Sequence, residues 1–233
     1  MEGSGEPEGT WECSPQWNRI IQKLNTNRAL TFKSTNTLAD VDDRFGYLKK
    51  MFTIDSMNDR LDDSDVPDHT LKLKLHDICL LTTNWSKRCG LTKNTKVKIT
   101  YLDPLDSYKI GIKPIDKLDS ETFYVTKLNF SFTFQHGCSY RVIRNQFPLR
   151  LAYCLTYNRA QGQTADKVVL DVVHPPFSHG QFYVASTRTR YYNHTMIYGH
   201  ERQLQNDGSI IIPNITHKEV LIQENNTSED MDI

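Results

Sequence analysis

The length and composition favour a soluble globular protein of one large or two small domains. The chain has 233 residues, a hydrophobic content of 38%, and 28 basic side chains against 28 acidic ones. No window approaches the about 18 apolar residues of a membrane-spanning helix, and the first residues lack the basic and apolar parts of a signal peptide. The five cysteines are scattered without a C-x-x-C pair. This argues against a disulfide framework or a zinc ribbon, and indicates a reducing compartment, nuclear or cytoplasmic.

The zero net charge conceals a basic middle between two acidic ends. Residues 1–70 carry 8 basic and 13 acidic side chains (net −5), residues 71–200 carry 18 and 8 (net +10), and residues 201–233 carry 2 and 7 (net −5). A basic middle is typical of a nucleic-acid-binding core. Lysines also solvate the outer faces of strands and keep edge strands from aggregating. The charge pattern alone leaves both interpretations open.

The amino-terminal third combines a disordered start with short elements. Residues 1–13 are rich in Gly, Glu and Pro and are predicted to be disordered. A helix is predicted to begin at Ser14-Pro15, because proline suits the first helical position. Residues 28–34 alternate as a strand does. Residues 59–68 are predicted to form a solvated acidic loop, with the binding of a basic partner as the alternative.

The middle of the chain is predicted to be rich in β-structure. Leu71–Leu75 alternates apolar and basic residues, the pattern of a half-buried strand. Many short strands separated by turn residues favour a small β-barrel. The further predicted strands are Val97–Tyr101, Tyr108–Ile112, Phe123–Leu128, Phe130–Phe134 and Tyr140–Val142.

The stretch Phe147–Arg190 has the pattern of strands, a polar turn and a helix at the edge of an α/β sheet. A buried strand leads into a polar turn that contains Gly162, and the β-branched run Val168–Val173 is predicted to be a parallel strand. A Ser-capped helix is predicted over Ser178–Thr189, with arginines at its far end. Strands, a polar turn and a helix in this order are the geometry with which α/β proteins hold phosphates and nucleic acid.

Two long motifs in this stretch carry a family resemblance. They resemble the last two motifs of superfamily-one DNA helicases of the petite-integration-frequency (Pif) type, including Helitron helicases. Departures from the family pattern are mild, such as Arg159 for Lys and Ala160 for Ser. The matching positions are Gln146–Leu149, Thr156, Asn158, Gln161–Thr164, Phe177–Gln181, Tyr183–Ala185, Arg188 and Arg190.

The resemblance implies an α/β fold and a function. It implies a second RecA-like domain of the P-loop NTPase type, interrupted by an inserted small Src-homology-like β-barrel. The implied function is that of the carboxy-terminal portion of an ATP-dependent 5′-to-3′ DNA helicase. The expected domain limits are 14–70 for the start of the RecA-like domain, 71–146 for the barrel, 147–200 for the RecA-like domain with the last two motifs, and 201–233 for an acidic tail.

The resemblance also assigns roles to residues of the two motifs. It implies that Thr156, Asn158, Arg159 and Gln161 bind single-stranded DNA, and that Gly162, Gln163 and Thr164 lie towards the nucleotide. It implies that Arg188 is an arginine finger, which stabilises charge on the γ-phosphate. Hydroxyls, amides and a guanidinium do suit phosphate and sugar oxygens. The alternatives are an ordinary capped turn and, for Arg188, a cation at a helix C-terminus.

The sequence lacks the motif that binds most of the nucleotide in such motors. None of the eleven glycines is followed by lysine, so there is no G-x-x-x-x-G-K-[ST]. We therefore expect no ATP hydrolysis by this chain alone. ATP and Mg²⁺ would be shared with a missing or separate first RecA-like domain, acting in trans. The alternative is an inactive helicase-derived module that binds nucleic acid or protein. His174 and His179 are too isolated to indicate a metal site.

Overall fold

The structure is a computed structural model, and it divides the chain into two compact units. One unit is Ser14–Cys154, and the other joins Leu155–Ile233 with Met1–Cys13. Predictions for residues 1–14, for the acidic segment 40–65 and for the tail after 215 lie outside the described residues, and the expected domain limits stay predictions. The structure describes residues 15–39, 66–136, 138–157, 159–173, 176, 178–200, 204–209, 211–212 and 215.

Within its described residues, the first unit contains the helix α1 (Pro15–Leu24) and ten strands that pair antiparallel. The strands are β1 (Ala29–Lys33), β2 (Thr35–Ala39), β3 (Thr70–Lys74), β4 (Ile78–Leu81), β5 (Lys96–Tyr101), β6 (Lys109–Pro114), β7 (Phe123–Thr126), β8 (Leu128–His136), β9 (Cys138–Gln146) and β10 (Leu149–Leu151). Five of them form a sheet in the order β10-β4-β5-β6-β7, three form a sheet in the order β2-β9-β8, and β1 pairs with β3.

Period-two alternation accounts for the core of this unit. Val97 and Ile99 on β5, and Ile110 and Ile112 on β6, are fully buried, because alternate residues of a strand point to the same face. The predicted strands of residues 71–146 are confirmed with small shifts of their ends, and so is the helix that begins at Pro15. Whether the sheets close into the expected barrel stays a prediction.

The buried strand predicted before the polar turn is β10, and it belongs to the five-stranded antiparallel sheet. β10 has three residues and pairs antiparallel with β4, with Leu149 opposite Leu81. Leu149 and Phe147 are fully buried in the core of the first unit. The apolar burial of this strand therefore serves the antiparallel sheet rather than a parallel one.

The second unit contains a parallel strand pair and a short helix. The strands are β11 (Val168–Asp171) and β12 (Thr195–Tyr198), paired in parallel. The parallel strand predicted at Val168–Val173 is thus confirmed. The helix α2 covers Gln181–Ser186. The core cluster of this unit is formed by Leu170, Val172 and Ala185.

The helix α2 is shorter than predicted, and its cap is different. Gly180 occupies the N-cap position with φ of 75° and without a side-chain capping hydrogen bond, so the prediction of a Ser-capped helix over Ser178–Thr189 is wrong. A left-handed residue cannot continue a right-handed helix, and Gly180 therefore sets its start. At the other end, the Thr187 hydroxyl donates to the Tyr183 carbonyl at 2.9 Å, which helps to end the helix.

The cysteines differ from expectation at one position. Cys79 and Cys89 are free thiols, and burial raises the pKa of the Cys79 thiol. Cys154 is disulfide-bonded. The sequence argued against a disulfide framework, and it did not predict this single disulfide at Cys154. No described helix is long and apolar enough to cross a membrane.

Candidate functional site

The polar turn after β10 is held by its own backbone. The Ala160 amide donates to the Thr156 carbonyl at 3.0 Å, and the Gln163 amide donates to the Ala160 carbonyl at 3.1 Å. The Thr156 hydroxyl accepts a hydrogen bond from the Arg159 amide at 3.4 Å. Thr156 therefore stabilises the turn through its own side chain, as the capped-turn interpretation expected.

The outer part of the turn is open to solvent. Gly162 has φ of 75°, and a Cβ added to it would meet no atom within 4 Å. Gln161, Gly162 and Thr164 are exposed. A glycine in the left-handed region makes the tight turn and lets a ligand approach the backbone closely.

Arg188 links the end of α2 to this turn. Its Nη1 donates to the Ala160 carbonyl at 3.5 Å and to the Gln163 carbonyl at 3.4 Å. Its Nε donates to the Val184 carbonyl of α2 at 2.5 Å. The planar guanidinium can serve several acceptors at once, because its donors lie in a fixed fork. The two motifs therefore meet at one side chain.

The backbone joins the same two segments a second time. The Ala165 amide donates to the Arg188 carbonyl at 2.9 Å, and Ala165 and Thr189 form an isolated parallel bridge. The segment after the turn and the end of α2 are thus fixed to each other independently of the Arg188 side chain.

Two further residues support the turn from within. The Tyr157 hydroxyl donates to the Asp171 carbonyl at 2.7 Å, and burial with the neighbouring Asp171 charge raises the Tyr157 pKa. Gln163 Nε2 donates to the Arg159 carbonyl at 3.0 Å. Gln163 Oε1 is buried without a hydrogen-bond partner among the described atoms. The Gln163 side chain therefore has one acceptor left to offer.

The structure brings most of the predicted site residues together. Thr156, Arg159, Gln163 and Arg188 are half-buried and are linked by the hydrogen bonds given above. Asn158 lies outside the described residues. The sequence did not assign a role to Tyr157, whose hydroxyl donates to the Asp171 carbonyl.

The donor set suits an anion better than a cation. An open glycine backbone and a guanidinium can contact phosphate oxygens. Among the residues that the structure describes, no group of three or more His, Cys, Asp or Glu side chains could hold a metal ion. The donors of the turn could therefore contact an anion such as a phosphate group.

Comparison with known proteins gives a helicase match. No family model matches the chain. Over 53 residues the chain is 43% identical to the ATP-dependent DNA helicase Pif1 of Campylobacter jejuni, which is 23% of this chain and 12% of that helicase. The resemblance to Pif1-type helicases is confirmed. It extends to the fold, as the solved structures show.

Solved Pif1 structures match most of the chain. A Bacteroides Pif1 helicase in complex with ADP-AlF3 and single-stranded DNA matches with a TM-score of 0.61 and 19% identity, over 93% of this chain and 44% of that one. Pif1 helicase from Candida albicans matches with a TM-score of 0.59 and 20% identity, over 97% of this chain and 52% of that one. The chain thus has the fold of part of a Pif1 helicase and spans about half the length of these solved chains.

Proposed function

We propose that this chain supplies the second RecA-like domain, the carboxy-terminal portion, of a Pif1-type ATP-dependent 5′-to-3′ DNA helicase. The observation that carries the proposal is the position of Arg188, within 3.5 Å of two carbonyl oxygens of the polar turn. Gln163 and Arg188 are 25 positions apart in the chain, and their contact joins the two motifs into one candidate site. The sequence match to a Pif1 helicase and the matching fold support the same conclusion.

The residues of the turn are proposed to divide between two ligands. Thr156, Asn158, Arg159 and Gln161 would contact the sugar–phosphate backbone of single-stranded DNA, where donors matter more than base shape. Gly162, Gln163 and Thr164 would lie towards the nucleotide.

Arg188 is proposed to act on the nucleotide's phosphates. Hydrolysis builds negative charge on the γ-phosphate oxygens, and a positioned guanidinium stabilises that charge. The sequence has no G-x-x-x-x-G-K-[ST], so the proposal requires a P-loop and the Mg²⁺ ligands from a first RecA-like domain outside this chain. The chain alone is expected not to hydrolyse ATP.

Binding of single-stranded DNA tests the proposal. Fluorescence anisotropy of a labelled oligo(dT) across a salt series should show an affinity that falls steeply as salt rises, because phosphate contacts release counterions. Arg159→Ala should weaken binding and lower the salt slope by about 0.7. Lys167→Ala is the matched control, because Lys167 is an exposed cation of the same unit. This substitution should change neither the DNA affinity nor the salt slope. An Arg159→Ala protein that binds like the parent would contradict the assigned DNA contact.

A second function is favoured by the way Arg188 is engaged. Its Nε and Nη groups donate to protein acceptors, including the Thr187 hydroxyl at 2.9 Å. This arrangement also fits an inactive helicase-derived module in which Arg188 only stabilises the fold. Mixing the chain with a separately produced Pif1-type first domain separates the two functions. DNA-stimulated phosphate release that Arg188→Ala abolishes supports the helicase function, whereas intact DNA binding without restored hydrolysis supports the binding module.

A further inference from the structure

The outward face of the five-stranded sheet carries lysines and tyrosines. The alternation that buries Val97, Ile99, Ile110 and Ile112 places Lys98, Lys109 and Lys113 on the opposite face. The register shift between Ile99 and Tyr101 brings Tyr101 onto that face, opposite Gly111. The strand residues of β4, β5, β6 and β7 include no Asp or Glu. We call this surface the lysine–tyrosine face, and it comprises Lys98, Tyr101, Lys109, Lys113 and Tyr124.

Two of the lysines are direct cross-strand neighbours. Lys98 on β5 lies opposite Lys113 on β6. Like charges directly opposite each other in an antiparallel pair are destabilising. Lys113 Nζ donates to the Leu118 carbonyl at 3.2 Å, and the described part of the chain places no acidic group against either ammonium. The pairing costs stability that a solvated face does not require, and this points to a ligand of negative charge.

The two tyrosines form a built aromatic pair. The Tyr101 and Tyr124 rings pack edge to face with centroids 5.7 Å apart. Gly111 lies between them in the register, opposite both residues. A Cβ at Gly111 would come within 2.5 Å of the Tyr101 Cβ. The glycine therefore lets the rings meet across the central strand, and Tyr124 remains 48% exposed.

A cation completes the aromatic pair. Lys109 Nζ lies 5.2 Å from the Tyr124 ring centroid and 5.9 Å from the Tyr101 ring centroid. Its one ion pair in the described chain is with Asp106, at 3.3 Å on an exposed surface. Such a pair contributes little, so the ammonium can move to a phosphate while the rings meet a base.

We propose that the lysine–tyrosine face is a second nucleic-acid site, which binds single-stranded nucleic acid. The tyrosine rings stack on bases, and the lysines contact the flanking phosphates; aromatic platforms in basic surfaces bind single strands in this way. An acidic protein segment would use the lysines but would have no need of the ring pair. The inference goes beyond the proposed function, because none of these residues belongs to the two helicase motifs.

Acidic residues mark the limits of this face. Asp103 and Asp106 lie in the connection before β6, and Asp116, Asp119 and Glu121 lie in the connection after it. They repel phosphates at both ends of the strands. A bound single strand would therefore cross the β-strands from β5 to β7 rather than run along them.

Two variants of the full chain test the site with labelled oligo(dT) of about 15 nucleotides, near the upper site size of a single OB-fold domain. In Lys98→Gln/Lys113→Gln, affinity should fall and the salt slope should decrease by about 0.7 per lysine. The same variant should unfold at the same or a higher temperature, since a like-charge pair is removed. Tyr124→Ala should weaken binding by about tenfold, as expected for loss of one stacked base.

The matched control is Lys23→Gln/Lys72→Gln, two exposed lysines outside the five-stranded sheet, and it should bind like the parent. Unchanged affinity and slope in Lys98→Gln/Lys113→Gln would overturn the inference. So would a labelled poly-glutamate peptide that binds through the lysines while Tyr124→Ala leaves oligo(dT) binding intact, because the face would then serve an acidic protein.

Failure of this inference is distinguishable from failure of the proposed function. If Arg159→Ala weakens binding and the sheet variants do not, the motif turn binds DNA and the second site does not exist. If the sheet variants weaken binding and Arg159→Ala does not, the lysine–tyrosine face binds DNA and the motif turn does not. Photocrosslinking with 5-iododeoxyuridine gives a direct reading, with adducts expected at Tyr124 for the second site.

Discussion

The two units use their polar residues in different ways. In the unit Ser14–Cys154, Asp77 and Gln146 are fully buried and Arg144 is 1% exposed, and all three are hydrogen-bonded. In the unit that begins at Leu155, the described side chains of the polar turn and Arg188 are half-buried or exposed, and Gln181 is the buried polar residue among its described motif residues. Buried polar groups must be satisfied to be tolerated, so packing explains the first set. Packing does not require a particular residue type at the exposed positions Gln161 and Thr164. Their polar side chains are therefore available to contact a ligand.

Asp77 gives the largest expected effect in this comparison. Its carboxylate accepts hydrogen bonds from Gln22 Nε2, from the Asn25 side chain at 2.8 Å, from the Lys74 amide at 2.8 Å and from the Tyr153 hydroxyl at 3.0 Å. Asp77→Ala leaves these donors without their acceptor. We expect a loss of about 2–4 kcal/mol in the free energy of unfolding, measured with urea.

Asp119→Ala is the control, because Asp119 is exposed. It should change the free energy of unfolding by less than about 0.5 kcal/mol. Equal, small effects of both substitutions would mean that the polar groups around Asp77 do not hold the first unit together.

Arg188 gives an intermediate effect in the second unit. Arg188→Ala removes donors to the carbonyls of Ala160, Gln163 and Val184. We expect a loss of about 1–2 kcal/mol of local stability, seen as faster amide exchange at Ala160 and Gln163. Arg188→Lys keeps the charge but loses the forked guanidinium donors. Its amide exchange rates should lie between those of the parent and those of Arg188→Ala. Unchanged exchange in Arg188→Ala would show that the turn is stable without this side chain.

Tyr153 gives the smallest effect, confined to alkaline pH. Burial, with the Asp77 charge and hydrogen bond, raises the Tyr153 pKa from 10.0 to about 12. The neutral phenol is therefore favoured in the folded state, and its contribution is complete below pH 10 and is lost as the pH rises towards 12. Tyr153→Phe should show a weaker decline of stability between these values than the parent, measured by urea unfolding at each pH. An identical decline of stability in the parent and in Tyr153→Phe would show that ionisation of Tyr153 does not contribute to it.

The sequence predicted the strands better than it predicted their partners. Period-two alternation located β3 and β5, and the β-branched run located β11 as a parallel strand. The sequence did not show that β10 pairs with β4, because the pairing of a strand depends on the core in which its apolar residues, here Leu149, are buried. The helix limits were wrong since the left-handed Gly180 at the cap cannot be read from residue types alone.

The candidate site was predicted in part. The motif pattern identified the turn and Arg188, but not that the guanidinium donates to the turn's own carbonyls. The aromatic pair across Gly111 was not predicted either. Tyr101 and Tyr124 are 23 positions apart, and only the strand register brings them together.

Amide hydrogen exchange of the intact protein, with and without oligo(dT), shows whether the polar turn contacts DNA. We expect DNA to slow exchange within the turn of residues 156–164, where the Ala160 and Gln163 amides are already hydrogen-bonded. Added protection in that turn would support its role as the DNA contact of a Pif1-type second domain. DNA binding that leaves exchange in the turn unchanged would contradict that role.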